Sequence, residues 1–203
     1  MERVIAYIDG FNLYYGISDK GWRRYLWLDL AALTRSLLVP GQQLAATKYF
    51  TARVRADKGK ILRQATYLQA LETKGTVETF FGRYQQRSKQ CRSCLSTWVE
   101  YEEKMSDVHL ASELLRDAYT DRFDCALIIS ADADLLPPIE IIREDLPKKR
   151  VLVAFPPDRD SFHLRGMAHQ FFRIGRGRLA HSQLPPVMVK PDGFQLKRPS
   201  EWT

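Results

Sequence analysis

The chain has 203 residues, of which 45% are hydrophobic and 11% are aromatic, so it can build one sizeable folded domain and is not disordered throughout. Its 31 Lys and Arg residues outnumber 24 Asp and Glu residues, and the resulting net charge of +7 favours an anionic partner such as nucleic acid. No apolar run approaches ~20 residues, so we expect no membrane-spanning helix. The odd cysteine count and the absence of a signal-peptide pattern predict a cytoplasmic protein.

The first half of the chain alternates between short apolar runs and amphipathic segments. Residues 3–8 predict a strand that stops at Asp9, and Gly10 then permits a tight turn into a short helix that starts at Asn12. Leucine spacing predicts a helix over residues 29–38, which ends before Pro40 and Gly41. A strand over 44–54, a helix over 58–73 and a strand over 76–83 follow. The pattern is typical of an α/β protein.

A loop insertion is predicted at about residues 84–103, where this alternation is interrupted. It contains Cys91 and Cys94, several basic residues and Trp98. Two cysteines separated by two residues supply half of a zinc site, but the sequence has no second such pair to complete it. A structural zinc ion at Cys91 and Cys94, an oxidisable dithiol and a plain surface loop are therefore all open interpretations.

The regular pattern returns with a helix over residues 106–119, for which we predict Ser106 as the N-cap and Asp107 in the first turn. Residues 125–130 predict a strand buried on both faces. Asp132 and Asp134 come directly after it, followed by a helix with Pro137 and Pro138 in its first turn.

The last quarter adds a strand over 151–155, a helix over 161–168 and a strand over 170–174. Residues 175–180 match the loose dinucleotide-binding pattern, but no βαβ unit follows them, so we interpret them as a basic turn. Prolines interspersed with apolar residues from position 182 predict an extended tail packed on the domain. We accordingly predict a domain over residues 1–181 and a tail over 182–203.

Strands that alternate with helices predict a mostly parallel central sheet with helices on both faces, a Rossmann-like arrangement. If the first strand and the strand over 125–130 are neighbours, Asp9, Asp132 and Asp134 meet at the carboxyl edge of the sheet. These acids could each simply cap a helix. Carboxylates gathered in one place repel each other, however, and Mg²⁺ relieves that repulsion with the oxygen ligands it prefers. The sequence therefore favours a divalent-metal site.

Three sequence blocks resemble the NYN domain family of PIN-like nucleases, and the match spans roughly residues 1–175. The blocks are Tyr7-Ile8-Asp9-Gly10-Phe11-Asn12-Leu13-Tyr14, Glu103-Lys104-Met105-Ser106-Asp107-Val108 and Ser130-Ala131-Asp132-Ala133-Asp134-Leu135-Leu136-Pro137-Pro138-Ile139. The resemblance implies a PIN-like fold whose acids bind Mg²⁺ or Mn²⁺ and cut RNA.

The resemblance also assigns residue roles. It implies metal binding by Asp9, Asp107, Asp132 and Asp134, with Asn12 and Ser130 orienting the acids or the substrate. Met105-Ser106, the two alanines beside Asp132 and Leu135 depart from the family's usual residues, which affects the shape of the loops rather than the acids. One branch of the family is described as hydroxylating pyridine compounds, and some members have no assigned nuclease activity.

Basic residues follow the second and third strands and could hold the phosphate backbone of RNA, while Tyr84 or Trp98 could stack on bases. The candidate RNA-binding residues are Arg53, Arg55, Lys58, Arg83, Arg87, Lys89, Arg92 and Lys104. The leading prediction is a Mg²⁺- or Mn²⁺-dependent endoribonuclease. The alternatives are an NADH-dependent hydroxylase of a pyridine-type ring and a nucleic-acid-binding module without catalytic activity.

Overall fold

The structure, a computed structural model, describes residues 1–55 and 57–203, excluding the side chains of residues 87 and 100–103. The described strands are β1 (Glu2–Asp9), β2 (Gln42–Thr51), β3 (Glu78–Phe81), β4 (Arg83–Gln90), β5 (Thr97–Lys104), β6 (Cys125–Ile129), β7 (Arg150–Phe155), β8 (Gln170–Arg173), β9 (Val187–Val189) and β10 (Gln195–Lys197).

The described α-helices are α1 (Gly10–Asp19), α2 (Leu30–Leu37), α3 (Lys58–Lys74), α4 (Ser106–Tyr119), α5 (Leu136–Asp145), α6 (Phe162–Met167) and α7 (Arg176–His181). Short 3₁₀ turns cover Arg23–Tyr25, Ala133–Leu135 and Ser200–Trp202. None of the described helices combines the length and the apolar character needed to cross a membrane.

The central sheet has six strands in the order β3-β2-β1-β6-β7-β8, and each neighbouring pair is parallel. The chain winds outward from β1 in one direction through β2 and β3, and in the other through β6, β7 and β8. This confirms the predicted parallel α/β sheet and the pairing of the first strand with the strand after residue 124. The carboxyl ends of β1 and β6 lie side by side at the point where the strand order reverses, which is where open α/β sheets carry their ligands.

Side chains alternate between the two faces of β1, so each face has its own core. Val4 and Ile8 pack with residues of α1, α2 and α3 on one face. Ile5 and Tyr7 pack with residues of α4 and α5 on the other. By alternation, Asp9 lies on the same face of β1 as Ile5 and Tyr7. This is the face covered by α4, the helix that carries Asp107.

A buried ion cluster fastens α4 to the sheet. Lys48 Nζ lies 2.6 Å from Asp117 Oδ2 and 2.8 Å from Glu113 Oε2. The Tyr7 hydroxyl donates a hydrogen bond of 2.7 Å to the same Asp117 oxygen. Burial and this contact with Asp117 raise the pKa of Tyr7 well above its usual range. The cluster therefore joins β1, β2 and α4 through one desolvated ammonium group.

Several local expectations were wrong. Residues 84–103 are not an irregular loop, because β4 and β5 pair as an antiparallel hairpin from Arg83–Lys104 to Gln90–Thr97. Ser106 is the first residue of α4 rather than its N-cap, and Met105 holds the cap position without a side-chain cap bond. Residues 175–180, interpreted as a basic turn, all belong to α7 except Gly175, and the buried Leu179 anchors this helix to the core.

The C-terminal residues contain regular structure as well as prolines, because β9 and β10 pair as a short antiparallel hairpin. Leu184, Leu196 and Trp202 are buried in the same core as α1 and α3. The Trp27 indole N–H donates to the Pro185 carbonyl at 2.7 Å, which ties this segment to the start of α2. The division at residue 182 remains a proposal about domain organisation.

Candidate metal site

Asp9 is the most enclosed acid at the carboxyl edge of the sheet, with 6% of its surface exposed. It ends β1 and also caps α1, because its Oδ1 accepts a 3.0 Å hydrogen bond from the Asn12 backbone N–H. Its Oδ2 accepts a 2.8 Å hydrogen bond from the Ser130 hydroxyl. Both oxygens of Asp9 are therefore held in fixed directions by neutral donors.

Ser130 and Asn12 connect the ends of β1 and β6. The Ser130 oxygen that donates to Asp9 also accepts the Asp132 backbone N–H at 3.0 Å. The Asn12 side-chain oxygen accepts the Ala131 backbone N–H at 3.1 Å. These bonds fix the spacing between the two strand ends and so position Asp9 relative to Asp132.

Asp107 reaches the site from a different element, the first turn of α4. Met105, just before that helix, has the left-handed backbone angle φ of 85°. A residue other than glycine in this region carries backbone strain, and such strain is often retained where a functional group has to be aimed. The turn at Met105 brings the chain from β5 into α4 and so places Asp107 beside the strand ends.

Carboxylate oxygens of Asp9, Asp107 and Asp132 all lie within 4.8 Å of one another, a spacing at which one cation can contact all three. Asp134 is exposed and stands outside this group. Its backbone N–H donates to Asp132 Oδ1 at 3.0 Å, so in this structure Asp134 helps to orient Asp132 through its main chain. The structure thus assembles three of the four aspartates that the sequence singled out.

The electrostatics of the cluster fit a divalent cation. Burial raises the pKa of Asp9, the charge of Asp132 raises it further, and the hydrogen bonds from Asn12 and Ser130 only partly oppose these effects. A buried carboxylate beside a second carboxylate is costly unless a cation compensates it. Hard oxygen donors are also the ligands that Mg²⁺ and Mn²⁺ prefer. The residues present therefore suit such an ion.

The predicted RNA-binding cations lie on elements that leave the same edge of the sheet. Arg53 and Arg55 follow β2, and the Arg53 guanidinium stacks 4.9 Å from the centre of the Phe81 ring. Lys58 begins α3, Arg83 and Lys89 lie on β4, Arg92 lies in the hairpin turn, and Lys104 ends β5. The Arg87 side chain lies outside the described part of the structure. Trp98, on β5, is 47% exposed.

Cys91 and Cys94 lie in the turn of the β4–β5 hairpin, both as free thiols. Hydrogen bonding, first from the Ser96 hydroxyl, lowers the pKa of Cys94 to about 7. Within the part of the chain described here, no third Cys, His, Asp or Glu ligand atom accompanies the two thiols. The pair thus offers two zinc ligands of the four that a structural site uses, and zinc at this turn stays a prediction.

The structure also reveals a cavity of about 420 Å³ that the sequence did not predict. It adjoins the metal-site candidates through Gly10 and Phe11, which follow Asp9 directly. Its walls come from α1, α3, the end of β2 and the C-terminal residues, including Tyr49, Tyr67 and Trp202. No local pattern could have identified it, because residues so distant in sequence meet only in the folded chain.

A parallel sheet whose switch point carries an aspartate cluster is the arrangement that the resemblance to PIN-like nucleases implies. The NYN domain model matches residues 3–175, and the chain belongs to the NYN domain family. This confirms the family that the three sequence blocks indicated.

Two similar proteins accompany the family match. A protein named 6-hydroxy-3-succinoylpyridine 3-monooxygenase, from Pseudomonas putida, is 30% identical in a match that covers 98% of this chain and 75% of the relative. A crystal structure of a protein of unknown function from Vibrio parahaemolyticus superposes with a TM-score of 0.56 at 19% identity, covering 86% of this chain and 94% of that one. The second likeness supports the fold alone.

Proposed function

We propose that this protein is a divalent-metal-dependent ribonuclease that hydrolyses RNA phosphodiester bonds. The observation that carries the proposal is the group of carboxylates from Asp9, Asp107 and Asp132 at the switch point of the sheet. Membership of the NYN family and the net charge of +7 support it. Neither a pair of helix caps nor a structural ion pair requires three carboxylates from three separate elements to converge.

Each group has a distinct role in this proposal. Asp9, Asp107 and Asp132 would hold Mg²⁺ or Mn²⁺, with Asp134 at the open side of the site. When bound, such an ion supplies positive charge to the phosphoryl oxygens and lowers the pKa of a coordinated water. Ser130 and Asn12 hold Asp9 and Asp132 in place through the hydrogen bonds described above. The basic residues that follow β2 and line the hairpin would bind the RNA backbone.

The decisive experiment compares Asp132→Asn with Asp192→Asn. Asn still accepts the Asp134 backbone N–H and keeps the size of the side chain, so the first change mainly removes one charge from the cluster. Cleavage of a labelled single-stranded RNA with Mn²⁺ should fall by ~10²-fold or more in Asp132→Asn, because groups that act as one unit fail together. Asp192 lies in the exposed turn before β10, and its replacement should leave the rate unchanged.

Further outcomes test the metal requirement and distinguish the proposal from an inactive binding module. EDTA should abolish cleavage by the wild-type protein, and excess Mn²⁺ should restore it. RNA cleavage that persists equally in Asp132→Asn would contradict the proposal. RNA binding without cleavage under any divalent metal would instead support a nucleic-acid-binding module without catalytic activity.

A hydroxylase is the second candidate, and the observation that favours it is the monooxygenase name of the Pseudomonas relative, which aligns with almost the whole chain. Such an enzyme would consume NADH in the presence of a pyridine substrate and would be indifferent to RNA. NADH oxidation that depends on 6-hydroxy-3-succinoylpyridine, together with no RNA cleavage, would establish it in place of the ribonuclease.

A further inference from the structure

The cavity beside the metal-site candidates has the size and the walls of a ligand pocket. Its volume of about 420 Å³ lies within the range of roughly 300–1,000 Å³ that is usual for small-molecule sites. Its lining includes seven aromatic side chains: Phe11, Tyr14, Tyr15, Tyr49, Tyr67, Tyr84 and Trp202. Aromatic walls of this kind are suited to stacking against a planar ring.

The inner wall is held rigidly. The Tyr67 hydroxyl donates to the Leu28 carbonyl at 2.9 Å, and the Tyr67 ring meets the Trp202 ring edge-on at a centroid distance of 5.9 Å. Tyr67 and Trp202 are 8% and 5% exposed. Since both rings are fixed before any ligand arrives, binding would cost little ordering of the wall.

The outer part of the pocket is positively charged and more exposed. Arg23, Arg55, Lys60 and Arg63 line it, whereas Asp19 is the acid among its described lining residues and is already paired with Arg159. Arg63 also contacts Glu201 at 2.6 Å and Lys60 lies 3.7 Å from Asp57, whereas the Arg23 Nε–H donates to the neutral Ser18 hydroxyl at 3.1 Å. Tyr15, half exposed, stacks on Phe11 at the same rim. An anionic group would therefore be attracted to the rim.

The pocket and the aspartate cluster share a boundary. A side chain on Gly10 would come within 2.7 Å of the Tyr49 ring, so this ring packs directly against the residue that follows Asp9. Burial, with a smaller contribution from the charge of Asp9, raises the pKa of Tyr49 to about 12. A ligand seated against Tyr49 thus lies next to the turn that presents Asp9.

We infer that this pocket binds a planar heteroaromatic ring that carries an anionic group, with the ring against the aromatic wall and the anion at the Arg23 rim. Two sources offer this chemistry, a nucleotide with its phosphate and a pyridine with a carboxylate side chain. Binding at the pocket does not depend on the ribonuclease proposal, but if RNA is the substrate, the occupant is one unstacked base beside the cleaved phosphate.

The test is isothermal titration of the full chain in EDTA, so that metal binding and catalysis do not contribute. The nucleotide arm compares uridine 5′-monophosphate with uridine, and the pyridine arm compares 6-hydroxy-3-succinoylpyridine with 2-hydroxypyridine. In at least one arm the anionic compound should bind about tenfold more tightly than its uncharged counterpart. Tyr15→Ala and Arg23→Gln should each weaken that binding about five- to tenfold, since the first removes a stacking face and the second a charge.

Matched controls separate the pocket from general surface effects. Tyr119→Ala and Arg122→Gln remove an exposed tyrosine and an exposed arginine elsewhere and should leave the affinity unchanged. No binding of either anionic compound, or equal losses in the pocket variants and the controls, would overturn the inference. Tight binding of the nucleotide without RNA cleavage would leave the pocket intact and remove the ribonuclease. Tighter binding of the pyridine would support the pocket and favour the hydroxylase.

Discussion

Carboxylate groups cluster against the sheet in two regions, which differ in where the positive charge that compensates them comes from. On the α4 face, Asp117 and Glu113 contact the Lys48 ammonium directly. At the carboxyl edge, Asp9 accepts hydrogen bonds from the neutral Asn12 N–H and Ser130 hydroxyl, and Asp132 accepts one from the Asp134 N–H. The first region is a finished structural ion cluster. The second is arranged like a site that binds its cation from solution. This difference is the physical basis for assigning a structural role to the Lys48 cluster and a catalytic role to the aspartates at the carboxyl edge.

The largest expected effect comes from removing the built-in cation. Lys48→Met keeps most of the side-chain volume but leaves Asp117, 3% exposed, and its neighbour Glu113 without their ammonium partner. Breaking a buried ion cluster from one side typically costs about 3–5 kcal/mol. Urea unfolding should show a loss of this size in the free energy of unfolding. Lys148→Met, at an exposed position, should change it by no more than about 0.5 kcal/mol.

The same measurement applied to the carboxyl-edge region should show no such loss of stability. Asp132→Asn in EDTA should leave the free energy of unfolding unchanged or raise it, because it removes one of the charges that repel each other around Asp9. A loss of several kcal/mol in Asp132→Asn, or no loss in Lys48→Met, would break the distinction between the two regions.

Met105 allows a finer test of the carboxyl-edge region. Its φ of 85° is costly for any residue with a side chain, and glycine adopts it freely. Met105→Gly should therefore raise the free energy of unfolding by about 0.5–1 kcal/mol, measured by urea unfolding. Because Met105 is 42% exposed, little packing is lost. A fall in stability would mean that the Met105 side chain, rather than its backbone angle, matters at this turn.

The sequence was informative where the controlling interactions are local. Short apolar runs that stop at Asp9 and just before Asp132 are sufficient to predict two neighbouring strand ends, because parallel strands present their carboxyl ends at one edge. Asp107 follows no apolar strand, and only the family resemblance connected it with the other acids. The proximity of the three carboxylates is a property of the folded chain.

The sequence failed where the decisive partners are distant or where the side chains carry no pattern. Lys48 can be buried because Glu113 and Asp117 neutralise its charge. These partners are 65 and 69 residues away in sequence and meet Lys48 only after folding, so no local pattern predicts the burial. The β4 strand, Arg-Tyr-Gln-Gln-Arg-Ser-Lys-Gln, has no apolar alternation, and none of its described side chains belongs to either core. Its backbone pairing with β5 does not require such alternation. The pocket beside Tyr49 was missed for both reasons: its lining residues are distant in sequence, and they form no local pattern.

The smallest expected effect concerns a third carboxylate, Asp124, which has its own cation at the surface. The Arg3 guanidinium lies 2.7 Å from Asp124 Oδ1, and hydrogen bonds from Arg3 lower the pKa of Asp124 to about 2. Because the folded-state pKa lies below the unfolded-state value, this contact stabilises the fold above about pH 4 and loses its effect as the pH falls toward about 2. Both side chains are more than 40% exposed, so solvent screening keeps the contribution small. Wild type should therefore be slightly more stable than Asp124→Asn in urea at about pH 6, and the difference should shrink between about pH 4 and pH 2. A difference that grows on acidification would have the wrong sign for a carboxylate held by its own cation.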